Sequence, residues 1–227
     1  MLDKGQKEFG LDKRANDQGY FYQIAKENGA DIVVGEVAYQ ENGTFFKNKL
    51  DPITNNEIAV ENEHILRFFA SRVKENGEED LPPTRFVDWP TQADPAATHA
   101  GLQGILSMPL ETGAVVCREL GDEETAKICE EAVKKLAKHI PSTNGNKQAA
   151  ALLALAGIED AKKMSDEVLK VGGAKGFSTF LGYYMLCAMG KAGDVDEALD
   201  IIKEYWGAML SRGATTFWED FNMDWLE

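Results

Sequence analysis

The sequence is short of positive charge, cysteine, histidine and long apolar runs, and each shortage narrows what the chain can do. Lys and Arg number 24 against 38 Asp and Glu, leaving a formal charge of −14. Phosphate neutralisation requires clustered cations, so this balance argues against nucleic acid as a partner and suits a neutral one. There are three cysteines, an odd number. Cys117, Cys129 and Cys187 each sit in an apolar helical stretch and read as buried free thiols. No CxxC and no clustered His/Cys spacing suggests zinc, so neither metal nor cofactor is expected. No apolar run reaches ~18 residues, and Met1-Leu2-Asp3-Lys4 lacks the apolar stretch of a signal peptide, so no membrane partner is expected. The compartment is left open.

What is present is enough for a globular core: 227 residues, 44% hydrophobic and 27% charged. The pattern changes near residue 60. Within residues 1–60, DIVVGEVAYQ (31–40) is β-branched and apolar, and Asn42-Gly43 supplies a hairpin turn before TFF (44–46). A short β-hairpin segment is therefore expected there, followed by a second domain over 61–227 that reads as helix throughout.

These helices come in two kinds. Segments 62–76, 122–140, 160–171 and 194–211 place apolar residues at steps of three and four with charges opposite, as half-covered helices do. Asp194 is the expected N-cap of the last, with Glu197 three residues on. Segments 95–116, 147–156 and 178–190 are apolar or small on every side, and must be covered on every side. Alternation of the two kinds, joined at Gly121, Gly157 and Gly193, describes an inner ring of helices inside an outer one: a mainly α fold, part of an α/α toroid. Three inner–outer hairpins run from residue 94 to 211, and six would need about twice that length. The chain thus builds about half a ring. Its exposed inner helices call for closure by more polypeptide or by a second copy in a homo-oligomer. An α-solenoid or plain bundle is the alternative, although no repeat is evident at 30–45 residues.

Two segments place polar and aromatic residues between helices: RFVDWPTQADPAATHAGLQ (85–103) and GATTFWEDFNMDW (213–225). In the second, Glu219 follows Trp218. An indole face can stack on a pyranose while a carboxylate takes protons from water or hydroxyls. A surface Glu beside a core Trp gives the same pattern. In the first, Asp88-Trp89-Pro90 is extended and leads to a helix on which His99 and Gln103 share a face. His99 reads equally as a satisfied core histidine. Lys147 and Gln148 open an inner helix, and Ser178 and Thr179 read as an N-cap and its neighbour. VGGAKG (171–176) comes after a helix and lacks phosphate-loop spacing, so it reads as a helix C-cap.

Taken together, FVDWP with HAGLQ, KQAAALLALAG, GFSTFLGYYMLCAM and YWGAML–GATTFWEDF resemble the catalytic (α/α)6 domain of α-L-rhamnosidases of glycoside hydrolase family 78, over residues 61–227. The resemblance implies a hydrolase that removes terminal α-L-rhamnose with inversion, using rhamnose-containing glycosides or oligosaccharides as substrate. It implies that Glu219 is the general base, that Asp88 and Trp89 sit in the sugar pocket, and that His99 and Trp218 stand at its rim.

The departures matter as much. The family's upstream acidic motif, which carries the general acid, is absent, and so is the His-Gly-Trp motif beyond the base. Inversion needs two carboxyl groups ~6.5–9.5 Å apart, and only the base is identifiable. The chain alone is therefore expected to be inactive or nearly so. A non-catalytic carbohydrate-binding or interaction module, and a six-hairpin glycosidase for another deoxy-sugar, are the competing readings.

Overall fold

The computed structural model describes residues 39–41, 44–46, 63–81 and 85–226. The chain divides into two units, Met1–Phe68 and Phe69–Glu227. In the first, β1 (Tyr39–Glu41), β2 (Thr44–Phe46) and β3 (Glu63–His64) form an antiparallel sheet in the order β1-β2-β3. Glu41 pairs with Thr44 and Tyr39 with Phe46, the register of the expected hairpin. The strand expected over residues 31–38 and the Asn42-Gly43 turn lie outside the described residues. Helix α1 (Ile65–Ser71) comes directly after β3.

The helix expected over 62–76 is thus shorter at both ends. At its C-terminal end a small antiparallel turn replaces it. Val73 bridges Glu79, Lys74 N donates to Glu78 O at 2.9 Å, and Asp80 N donates to Arg72 O at 2.7 Å. The turn is fixed by Gly77, whose φ of +89° is left-handed and whose Cα leaves no room for a Cβ against the Lys135 carbonyl. Periodicity continues past Ser71, but this pairing takes over the backbone.

From Trp89 onward the expected hairpins are present. After the short α2 (Trp89–Gln92) come α3 (Pro95–Glu119) with α4 (Glu123–Leu136), and then α5 (Lys147–Leu155) with α6 (Ala161–Met164). The third pair is α7 (Gly182–Ala192) with α8 (Val195–Ser211). α6 widens into a π turn, Ser165–Leu169, where Lys170 N reaches back to Ser165 O at 3.0 Å. α3, α5 and α7 pack side by side as an inner layer, with α4 against α3, α6 against α5 and α8 against α7. The protein is mainly α, as the sequence pattern requires.

The three inner helices run parallel. Asn144 Nδ2 donates to Asp94 Oδ2 (2.6 Å) and Asn146 Nδ2 to Pro90 O (3.4 Å), joining the starts of α3 and α5. Gln148 Nε2 donates to Gly176 O (3.0 Å) just before α7, while Lys191 at the far end of α7 donates to Ala154 O (3.0 Å) at the far end of α5. Four N-caps use side chains: Asp94, Asp122, Asn146 and Asp160 accept backbone N–H groups in the first turn of α3, α4, α5 and α6.

Three details correct the sequence reading. Asp194 precedes α8 but makes no cap bond; its carboxylate turns to Lys162 (2.7 Å) and Lys170 (3.2 Å), two cations that outcompete neutral N–H donors. Ser178 is not a cap either. The helix begins at Gly182, with Leu181 at the cap position, because a turn intervenes in which Gly182 N donates to Ser178 O at 3.0 Å. α5 is buried from Lys147 through Ala154, but α7 is buried only on the face of Gly182, Met185, Ala188 and Met189. Its other flank is open. All three cysteines are free thiols, Cys117 and Cys129 buried and Cys187 half-buried.

Candidate functional site

The 213–222 segment takes its shape from the way the chain leaves α8. Gly213 adopts φ +84°, and Ala214 N returns to Met209 O at 3.1 Å, turning the chain off the helix. Phe221 then plugs the core, and its carbonyl accepts a hydrogen bond from the buried Tyr205 hydroxyl at 2.5 Å. Its ring meets those of Tyr205 (5.3 Å) and Trp218 (5.6 Å) edge to face. This anchor holds Trp218 half-buried and leaves Glu219 exposed.

Trp218 and Glu219 border a hollow of about 800 Å³ on the open flank of α7. Its walls are aromatic: Phe180, Tyr183 and Tyr184 from α7 and the turn before it, Trp206 from α8, and Phe217 beside Trp218. Thr179, Glu219 and the hydroxyls of Tyr183 and Tyr184 are polar groups among its lining residues. Phe217 is 80% exposed. Such a surface suits an apolar ring face or an apolar partner, with one carboxylate free to accept protons.

Asp88 and Trp89 stand at the start of α2. Asp88 Oδ1 accepts the Trp89 N–H (2.9 Å), and Thr91 Oγ1 both accepts from Asp88 N (3.0 Å) and donates to Asp88 O (2.7 Å). The box buries Asp88 and leaves Trp89 55% exposed, edge-on to Phe86 at 5.2 Å. These two residues do not line the aromatic hollow. The buried Tyr205 hydroxyl donates to Phe221 O. Burial pushes that phenol up to about 12, the nearby Thr179 hydroxyl opposes the shift, and the charges of Asp220 and Asp88 add to it.

His99 belongs elsewhere. Its Nδ1 lies 2.7 Å from Glu79 Oε1 and its Nε2 3.0 Å from His139 Nε2. Glu79 is buried, paired with Arg85, and accepts from Leu81 N at 2.9 Å. Burial raises the Glu79 carboxyl, but Arg85, the Leu81 N–H and His99 together hold it below the usual range. Gln103, one turn along α3, takes the Glu79 N–H on its Oε1 (2.9 Å) and donates to Gly77 O (2.7 Å) and Leu136 O (3.0 Å). His99 is thus part of a polar bolt fastening the 77–81 turn to α3 and to the end of α4. Lys147 is likewise a clamp. Its Nζ donates to Gly173 O (2.5 Å) and lies 5.2 Å from the Phe177 ring centre, and burial lowers it to about 8 against the pull of Glu204.

Glu219 and Trp218, neighbours in the sequence, both line this hollow. The walls facing them, Phe180, Tyr183, Tyr184 and Trp206, read in the sequence as core; the signal that could have found them is the pair of tyrosine hydroxyls, Tyr183 and Tyr184, in a helix expected to be covered on every side. Among the described residues no group of three or more His, Cys, Asp or Glu could hold a metal ion, and no helix is long and apolar enough to cross a membrane.

No family model matches the chain, and no curated protein matches it in sequence. Among solved structures it is similar to a rhamnosidase from Klebsiella oxytoca with rhamnose bound, at 20% identity and a TM-score of 0.53. The match covers 71% of this chain and 35% of the rhamnosidase, so the chain spans about a third of that protein's length. At this identity the likeness establishes a shared fold.

Proposed function

We propose that this chain carries one side of a glycoside hydrolase site that releases terminal α-L-rhamnose with inversion, and that Glu219 is its general base. The observation that carries the reading is the exposed Glu219 carboxylate beside Trp218 on an aromatic hollow, in a fold shared with a rhamnosidase. Glu219 would take a proton from the water that attacks the anomeric carbon as the glycosidic C–O bond breaks. A second carboxyl must protonate the departing oxygen, and none of the described side chains is assigned that task. Asp88 and Trp89 would hold the sugar, the indole offering an apolar wall to the 6-deoxy methyl group.

An aryl α-L-rhamnoside assay tests the chemistry. The chain alone should show no turnover, since loss of general acid catalysis costs ~10²–10⁴-fold. Robust activity that disappears in Glu219→Gln would mean that an acid is present after all. Intrinsic-fluorescence titration with L-rhamnose tests recognition: saturable binding lost in Trp89→Ala supports it, and no binding by the unaltered chain refutes it. The exposed aromatic flank, Phe217 above all, favours a second reading, a non-catalytic binding module. Sugar affinity with no hydrolysis in any longer form of the protein would favour it.

A further inference from the structure

Two of the chain's three histidines face each other. His99, near the start of α3, and His139, just past the end of α4, approach Nε2 to Nε2 at 3.0 Å. Their ring centres lie 5.2 Å apart, little more than that gap plus the two ring radii, so the rings stand end to end. Each nitrogen points at the other. Such a contact holds only while one nitrogen carries a proton and the other does not. The turn at Gly77 packs on the same spot, where a Cβ would meet His139 Cβ at 3.4 Å. The 77–81 turn, α3 and the end of α4 thus converge on one pair of rings.

The other nitrogen of His99 sets the proton count. Its Nδ1 lies 2.7 Å from Glu79 Oε1, and an ionised carboxylate only accepts, so this Nδ1 bears a proton. A neutral His99 then receives from His139 Nε2, and a cationic His99 donates to a bare His139 Nε2. The touching pair therefore holds at most one positive charge. A second would set N–H against N–H and cation against cation. Charged neighbours come from each stretch. Arg85, whose Nη2 is 3.4 Å from His99 Nδ1, is paired with Glu79. Glu78 lies near the pair in the turn, its carboxyl held below the usual range by Asn76 first, against burial, and by Lys74 and both histidines. Lys135, paired with Glu75 at 2.7 Å, and Lys138 stand on the His139 side.

We infer that His99 and His139 form an acid-released latch, in which uptake of a second proton parts the rings and loosens the connection between α4 and α5 from α3. That connection holds more than itself. Its Asn144 donates to Asp94 Oδ2 (2.6 Å) at the cap of α3, and its Asn146 to Pro90 O (3.4 Å) in α2. With the latch shut, His139 secures one end of this span and the two asparagines the other. With it open, Gln103 still holds Leu136 O and His139 O, so the span is loosened and not released. The opening proton comes from bulk water, which reaches the 28% exposed His99 side chain. The latch does not depend on the sugar reading.

The test follows urea unfolding of the full chain from pH 7 to pH 5, in the unaltered protein and in His139→Gln. The open pair binds one more proton than the closed pair, so stability rises with pH in this window and is lost as pH falls past the ordinary imidazole value of ~6.5. One proton of difference changes the unfolding constant by about tenfold per pH unit. Across the window the unaltered chain should lose on the order of 10-fold. A glutamine amide still bonds His99 Nε2 but takes up no proton, so His139→Gln should fold as stably at pH 7 and lose most of that dependence. His64 is present in both proteins, so their difference isolates the pair. Glu79 and Lys147 act outside the window, below the ordinary 4.5 of a glutamate and from about 8 to 10.5. A variant as acid-sensitive as its parent, or a parent whose stability is flat from pH 7 to pH 5, overturns the latch. If His139→Gln does not fold, imidazole nitrogen NMR of the unaltered protein decides. One bare Nε2 for as long as the rings show mutual cross-peaks supports the latch, and two fully protonated rings still in contact overturn it.

Discussion

Gly104→Ala gives the sharpest check on how the inner layer is assembled. A Cβ at this position would lie 2.6 Å from Leu152 C and 2.7 Å from Leu152 O, against the 3.4–4 Å of ordinary contact. Both atoms are backbone of α5, which is buried along its length from Lys147 to Ala154, so no side chain can swing aside. α3 and α5 would have to separate by the better part of an ångström across a filled core, and overpacking of this kind costs about 1–3 kcal/mol or more. Against this, Ala is better than Gly in a helix interior by about 1 kcal/mol. The clash should win, because the added carbon meets backbone, and the variant should lose about 2 kcal/mol. For a chain of this size that is roughly a 4–8 °C fall in melting temperature. Gly207→Ala is the control. It lies inside α8 with nothing within 4 Å of its Cβ position, so only the propensity gain remains and stability should rise by up to about 1 kcal/mol. Thermal melts of both variants decide the matter. A Gly104→Ala protein as stable as its parent would mean that α3 and α5 do not meet face to face here, and the layered arrangement would fall with it.

Single charged and aromatic residues supply the remaining tests. Glu79→Gln should cost about 3–5 kcal/mol, since it strands Arg85 in a partly buried site. The Glu79 carboxyl is held below the ordinary 4.5 of a glutamate, so its contribution is complete above that pH and fades as pH falls through the lowered value; acid titration of unfolding should be flatter in the variant. Lys147 runs the other way. With a folded value of about 8 against an ordinary 10.5, the unfolded chain binds more protons between these limits, so this residue should make stability rise with pH there, and urea unfolding should show that component gone in Lys147→Met. Trp89→Ala should remove rhamnose binding while shifting the melting temperature little, because the ring is more than half exposed; a large loss of stability would make it a packing residue instead.

The hairpins were legible because burial leaves a periodic trace. α5 carries no charged residue after Lys147 and α4 carries a charged stripe, and these patterns translate directly into inner and outer position. Caps form where the competing partner is only solvent, as at Asp122 and Asn146. They misled where a distant cation intervened, as Lys162 does for Asp194, 32 residues away. His99 shows the same limit. Its partners Glu79 and His139 lie 20 and 40 residues off along the chain, and no local pattern distinguishes a histidine bolted into such a network from one facing a ligand. Glu219 and Trp218 drew notice in the sequence because they are adjacent. The hollow they border was not, since α7 looks covered on all sides in the sequence and is covered on one.

The geometry of the hairpins also bears on why polar groups gather where they do. Each inner helix is succeeded by an outer helix that returns the chain to the starting end, so α3, α5 and α7 all point the same way. Their N-termini therefore open on one mouth, and each adds partial positive charge there. In a chain of net charge −14, that mouth is a place where carboxylates can collect with less mutual penalty. Asp94, which caps α3, and Asp88, which caps the short α2 just before it, stand at the first of these helix starts. The opposite ends carry Arg118 and Lys191 in the last turns of α3 and α7. The direction of the inner helices, set by short connections between hairpins, is thus what brings the starts of α3 and α5 and the turn before α7 to one end of the layer.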